Sequence, residues 1–415
     1  MERLYPLLWR WHFVVGLLCA PFLLTLSITG ALYAFQSQLE PVLEAEWQRL
    51  APCADCQASA VSAQIAAAQA QYPGLELEHY GRYRDPSRSA VVFLKDAASD
   101  EHRMVWVNPY TLEVLGSRLE TSGFFATVFH LHTRLLAGEP GRWLIELATS
   151  WVFVTLLMGL LLWWPRRAKK AGGWVPRVRS QGRRFWRDLH AVGGFYLLPV
   201  ALVIVYTGLL FSPVAGKALL AEMALAGQIP DAFMSPPKVE AQPDQTPLGI
   251  DDLTTDFLED APAADWFISF PHEPGDPTVI SVREALPWNT RIVYYNHYSG
   301  ERLAELKWDG LAPGAKALLL FFPLHTGLIL GWPTQVLAML VALGLAGLVG
   351  SGIGMWWLRR RPGELGLPRL REVPRLGWFF YASLLLLAVA MPLFCISFLA
   401  VALGVWLARR FRSST

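Results

Sequence analysis

Nine histidines are spread over this 415-residue chain, and five of them, His12, His130, His132, His190 and His325, lie in or beside long apolar runs. An ionisable side chain in such a run is costly unless something binds it or bonds to it. A neutral imidazole can be satisfied by a hydrogen bond to a neighbouring helix, or it can offer a ring nitrogen to a metal. Spacing separates the two cases. His12 and His190 open two apolar runs, and His132 and His325 stand just before two others, so the four form two pairs at two depths. Two axial imidazoles at one level on facing helices, with an apolar slot between them, hold a haem iron. The pattern predicts two b-type haems per chain, one ligated by His12 and His190, the other by His132 and His325.

His130 lies two residues from His132, roughly 200° away around a helix, and its counterpart in the second run is Pro323, which cannot bind metal. His132 is therefore preferred as the ligand, and His130 takes a secondary role toward substrate or a propionate; an irregular segment would reverse that choice. His79, His102, His272 and His297 fall in polar stretches, where a solvated role suffices. Arg10, Arg184 and Arg187 lie beside the first pair and Arg134 beside the second, where guanidinium groups would hold propionates in bidentate bonds. Snorkelling to a membrane interface is the plainer role for the same arginines.

The elements that must position these residues are written twice. From His12, Gly16, Pro21, Thr29 and Gly30 fall at offsets of 4, 9, 17 and 18; from His190, Gly194, Pro199, Thr207 and Gly208 fall at the same offsets. A mid-chain segment is no signal peptide, so its twin near the N-terminus reads as a retained helix. MVWVNPYTLEVL (104–115) and IVYYNHYSGERL (292–303) match as strand, turn and strand, with Leu112 standing where the second copy has Gly300, so that turn is expected to differ. His132-Thr133 and His325-Thr326 are each followed by Pro140 or Pro333 and an apolar run ending in Trp-Trp and Arg-Arg. One unit is repeated, in one orientation.

With 53% hydrophobic residues, the chain reads as a polytopic α-helical membrane protein with two outward α+β domains and a C-terminal helical hairpin. The net charge of +2 hides an asymmetry: residues 165–187 carry nine Lys or Arg and no acid, 359–375 carry six Arg against two Glu, and 34–127 and 214–312 are net acidic. Basic loops stay inside, so the acidic segments face outward and the N-terminus is cytoplasmic. The expected order is helix 1 (1–34), outward domain 1 (35–123), interfacial helix and helix 2 (124–165), basic loop (166–187), helix 3 (188–213), outward domain 2 (214–314), interfacial helix and helix 4 (315–358), cytoplasmic loop (359–375), and helices 5 and 6 (376–411), with five spans as the alternative to six. Cys19 and Cys395 read as small apolar residues, and Cys53 with Cys56 as a local disulfide, two cysteines being an incomplete zinc site.

These motifs resemble the PepSY-associated transmembrane family, whose modules end in strands and a turn similar to 107–115 and 295–303. The resemblance extends to bacterial inner-membrane di-haem siderophore reductases of the ferrioxamine type. It implies PepSY-like periplasmic domains, haem ligation by His12, His190, His132 and His325, and an oxidoreductase that reduces ferric siderophores in the periplasm to release iron. Neither cytoplasmic loop has room for a dinucleotide fold or carries its Gly-rich fingerprint, so the donor would be another protein, a quinol or a diffusible reductant. The acidic outward balance favours a neutral or cationic siderophore; membrane lipid is the other expected partner, and nucleic acid is not. Two other functions compete. A regulatory, peptidase-inhibitor-like protein would need no four symmetric histidines, and a siderophore permease would need polar residues at mid-depth that the apolar runs lack.

Overall fold

The computed structural model describes residues 4–51, 56–164, 173–240, 246–260, 264–282, 286–364, 366 and 377–412. Cys53 lies outside the described residues; Cys56 is disulfide-bonded, and Cys19 and Cys395 are free thiols.

The chain opens with α1 (Tyr5–Tyr33), α2 (Gln36–Leu43), α3 (Ala45–Gln48) and α4 (Val61–Gln71), then strands β1 (Glu76–Arg82), β2 (Ala90–Lys95), β3 (His102–Val107) and β4 (Val114–Leu119). Helices α5 (Phe124–Arg134), α6 (Gly138–Trp163), α7 (Arg183–Leu209), α8 (Ala215–Leu225), α9 (Asp231–Met234) and α10 (Ile250–Glu259) follow. A second strand set comprises β5 (Trp266–Ser269), β6 (Thr278–Val282), β7 (Arg291–Tyr295) and β8 (Arg302–Lys307), and the chain closes with α11 (Pro313–Thr326), α12 (Trp332–Trp357), α13 (Trp378–Ala390) and α14 (Pro392–Arg412). Two compact units result: residues 1–34, 128–225 and 324–415 form a helical one, and 35–127 and 226–323 form the other.

In the second unit the segments expected to form two separate domains share one antiparallel sheet, ordered β4-β3-β2-β1-β5-β6-β7-β8. The join is β1 against β5, with Tyr80 opposite Ile268 and Gly81 opposite Phe267. Pairing removes the exposed edge that each four-stranded set would otherwise carry there. Tyr80, Val92, Val105, Ile268, Ile280 and Val293 are buried on one face together with Ile65 and Ala68 of α4 and Leu253 and Phe257 of α10.

The two hairpin turns take one conformation, against the expected difference. Asn108 Oδ1 accepts the Tyr110 N–H at 3.0 Å, and Asn296 Oδ1 accepts the Tyr298 N–H at 2.9 Å. Leu112 stands at φ +64° and Gly300 at φ +76°. The Asn-led turn and the flanking register set the backbone, and Leu112 is carried into the left-handed region.

In the helical unit, α1, α6, α7 and α12 are long and apolar enough to cross a membrane. Pro21 and Pro199 sit inside α1 and α7, tolerated where neighbouring helices satisfy the freed groups. The one carboxylate deep in α6, Glu146, is buried and accepts the Val214 and Ala215 N–H groups, both at 2.8 Å, at the start of α8. The C-terminal apolar run divides into two helices at Met391 and Pro392: the 13 residues of α13 reach about 20 Å, and Met391 is buried with Leu209 and Phe394. Midway along the bundle, Ala201, Val341 and Leu345 form an aliphatic layer with Leu23, Leu156, Leu197, Val200 and Ile204.

Candidate functional site

The fold places the four histidines in two pairs. The His12 and His190 ring centres are 6.1 Å apart with planes at 81°, and those of His132 and His325 are 6.2 Å apart with planes at 55°. His130 packs its ring on Phe129, so of the two candidates on α5 it is His132 that faces His325.

All four rings are held by one device. His12 Nδ1 bonds the Thr155 carbonyl at 3.0 Å, His190 Nδ1 the Leu348 carbonyl at 3.0 Å, and His325 Nδ1 the Ile204 carbonyl at 2.8 Å. His132 Nδ1 instead meets the Thr29 hydroxyl at 2.9 Å. A carbonyl only accepts, so Nδ1 carries the proton and the lone pair of the neutral ring lies at Nε2. Each ring backs into a glycine notch on the helix that holds it. A Cβ on Gly159 would stand 3.2 Å from His12 Cε1, on Gly352 3.5 Å from His190 Cε1, on Gly30 3.2 Å from His132 Cε1, and on Gly208 2.7 Å from His325 Cε1. In three cases the accepting carbonyl belongs to the residue four before the glycine, where the missing side chain uncovers it.

Metal–imidazole bonds of about 2.0 Å, with about 1.1 Å from each Nε2 to its ring centre, put two axial imidazoles roughly 6.2 Å apart. Both pairs therefore have the separation to hold one metal between them, and at His12, His190 and His325 the carbonyl acceptors set the tautomer and supply the outward Nδ1–H bond that orients such ligands. Among the described residues no third His, Cys, Asp or Glu completes a cluster of three or more around either pair.

Around His12 and His190 lies a cavity of about 810 Å³, walled by Trp9, Phe13, Trp163, Phe195 and Trp356 and floored by Gly16, Gly159, Gly194 and Gly352. Its size and apolar lining suit a large planar group. Arg183, Arg184, Arg187 and Arg359 also line it, from the first turn of α7 and just past α12, at one end of the slot. Asp188 is buried and bonds Arg177 at 2.6 and 3.0 Å and Arg187 at 2.9 Å, and Arg359 lies over the Trp9 and Phe13 rings at 5.0 and 4.5 Å. Sequence reasoning found Arg184 and Arg187 and missed Arg183 and Arg359; the Arg-Arg after Trp-Trp was the available signal. Arg10 is not among the cavity-lining residues, and Arg134 closes α5 two residues after His132.

The PepSY-associated transmembrane region matches the chain over residues 9–359. The chain belongs to this family. It is also similar to the uncharacterized protein PA4219 of Pseudomonas aeruginosa, with 28% identity over 287 residues, 64% of this chain and 71% of that one. As a PepSY-associated transmembrane protein with these apolar helices, it is a membrane protein.

Proposed function

We propose that this protein is a b-type haem electron-transfer protein of the bacterial inner membrane, an oxidoreductase that reduces ferric siderophores in the periplasm. The observation that carries the reading is the recurrence, at two places on unrelated stretches of chain, of one imidazole pair at the separation two axial ligands require. Histidines that merely bridge helices need no common separation. Haem, when bound at each pair, supplies one-electron transfer. The chain's own residues do the rest: His12, His190, His132 and His325 provide Nε2 ligands, the helix acceptors fix their tautomer, and the aromatic walls keep water out. Arg183, Arg184, Arg187 and Arg359 would receive the propionates of the group held by His12 and His190.

Basic segments at the Trp163 and Trp356 ends support a cytoplasmic position for that end, and net acidic sheet segments support a periplasmic position for the other unit. The group that His12 and His190 would hold would take electrons from a partner protein, a quinol or a diffusible reductant, and the group that His132 and His325 would hold would supply them to Fe(III) in a siderophore. Reduction loosens the chelate, because hard oxygen donors bind Fe(II) far less tightly than Fe(III).

The test is a dithionite-reduced minus oxidised spectrum of the purified full-length protein, with haem counted per chain, repeated on His12→Ala and His132→Ala. Two haems, each variant losing about one, are expected; ferric siderophores are then offered to the reduced protein. A stable, colourless protein from haem-supplied cells would sink the reading and favour a regulatory role for the PepSY-like modules.

A further inference from the structure

We propose that Thr29 tunes one of the two sites: its hydroxyl, standing in for a peptide carbonyl, receives the His132 Nδ1–H and raises the reduction potential of the iron His132 would bind. The inference rests on the haem reading above.

The Thr29 hydroxyl hydrogen is committed to the Thr25 carbonyl at 2.7 Å, so toward His132, 2.9 Å away, its oxygen accepts. The repeat supplies an internal comparison. Thr207, at the same offset in the second copy, bonds the Val203 carbonyl at 2.6 Å and the Ile204 carbonyl at 3.1 Å, and His325 passes it by to reach the Ile204 carbonyl itself at 2.8 Å. Beside His190, Ser351 Oγ lies 3.1 Å from Nδ1, but the Leu348 carbonyl is present there too at 3.0 Å. Thr29 is thus the position where a hydroxyl makes the 2.9 Å bond to the ring, the Leu26 carbonyl contributing a weaker backbone contact to His132 behind it.

The acceptor matters because it pulls on the ring proton. A helix carbonyl, polarised by its own hydrogen-bonded chain, draws that proton strongly and makes the imidazole a richer electron donor, which favours Fe(III). A hydroxyl oxygen draws it less, so the ligand donates less and Fe(II) gains in relative terms. The Leu26 carbonyl, 3.4 Å from Thr29 Oγ1, stands three residues before Thr29 as Ile204 does before Thr207. Removing the hydroxyl hands the Nδ1–H to that carbonyl.

The experiment is a redox titration of the purified holoprotein, haem content being counted first, on wild type, Thr29→Val, Thr29→Ala, Thr29→Ser and Thr207→Val. His132→Ala identifies which of the two potentials belongs to the His132 site. Thr29→Val and Thr29→Ala are expected to keep both haems and lower that potential alone, while Thr29→Ser and Thr207→Val leave both potentials at their wild-type values. An unchanged or raised potential in the first two, an equal shift in Thr207→Val, or loss of that haem with the other intact would overturn the assignment, the last by making Thr29 a prop for the ring. A wild-type protein with no haem would overturn the haem reading itself, a result separable from all of these.

Discussion

The His12–His190 site and the His132–His325 site share their ring separation, 6.1 and 6.2 Å, and the glycine notches that receive the rings, and differ in ring angle and in notch clearance. Ring planes cross at 81° in one and 55° in the other. The notches differ in clearance too, Gly352 leaving 3.5 Å beside His190 and Gly208 only 2.7 Å beside His325. What two different surroundings hold equal is the quantity a shared metal would fix, while the free rotation of each ring about its ligand bond is left unequal. The contrast argues for ligation more strongly than either site does alone.

The sharpest way to break that comparison is to fill the notches one at a time. Gly208→Ala places a methyl where His325 already stands, so the ring must move; occupancy or affinity at that site is expected to fall by about 10- to 100-fold, the usual scale for disturbing a ligand's support. Gly352→Ala meets His190 at ordinary contact distance and is expected to stay within about twofold of wild type. Haem per chain and the reduced spectrum read both; equal losses would mean that notch clearance does not control the sites.

A second pair of equivalent positions tests backbone rather than ligand. Leu112 and Gly300 occupy the same left-handed turn position, where an L side chain costs about 1–2 kcal/mol. Leu112→Gly is expected to stabilise the fold by up to about 1 kcal/mol and Gly300→Ala to cost about 1 kcal/mol or more, seen as opposite shifts of the thermal midpoint.

The smallest effect concerns pH. Arg302 donates to Asp256 at 2.7 Å and holds its carboxyl below the ordinary aspartate value, with Tyr295 donating to the same oxygen at 2.7 Å. A depressed folded value means the contribution is complete above the unfolded value near 3.9 and is lost as pH falls through the folded one. Because Asp256 is 43% exposed, the contribution stays below about 1 kcal/mol. Asp256→Asn should lower the melting temperature slightly at pH 7, by an amount that shrinks as pH falls below about 3.9 toward the depressed folded value; a difference that does not shrink in acid would assign the effect to something other than charge.

The histidine pairs were legible because the chain states them twice, and matching offsets turn four isolated residues into two levels. Thr29, Gly30, Thr207 and Gly208 were equally visible as repeat markers, yet their roles were not: a notch is defined by the residue on the facing helix, and no local pattern says that Gly30 will meet His132. The continuous sheet was hidden for a related reason. Tyr80 pairs with Ile268 across nearly half of the chain, while alternation within a strand reports only that it has a buried face. Pro392, in the middle of the C-terminal apolar run, marks the break between α13 and α14. Arg10 was assigned by proximity along the chain, whereas the cavity draws its arginines from two other helix ends.

The aliphatic layer of Ala201, Val341 and Leu345 has a consequence for energetics across the bilayer. His12 and the Gly30 notch that receives His132 are separated on α1 by about 27 Å, close to the full hydrocarbon thickness of about 30 Å. Within the proposed reading, each electron would cross most of the membrane voltage, past a layer that includes the hydrocarbon side chains of Ala201, Val341 and Leu345. In a cell negative inside, that outward step runs down the voltage by as much as about 2.3 kcal/mol per 100 mV. An energised membrane would then assist iron release directly, and a short-circuited vesicle would turn over more slowly than a polarised one carrying the same protein.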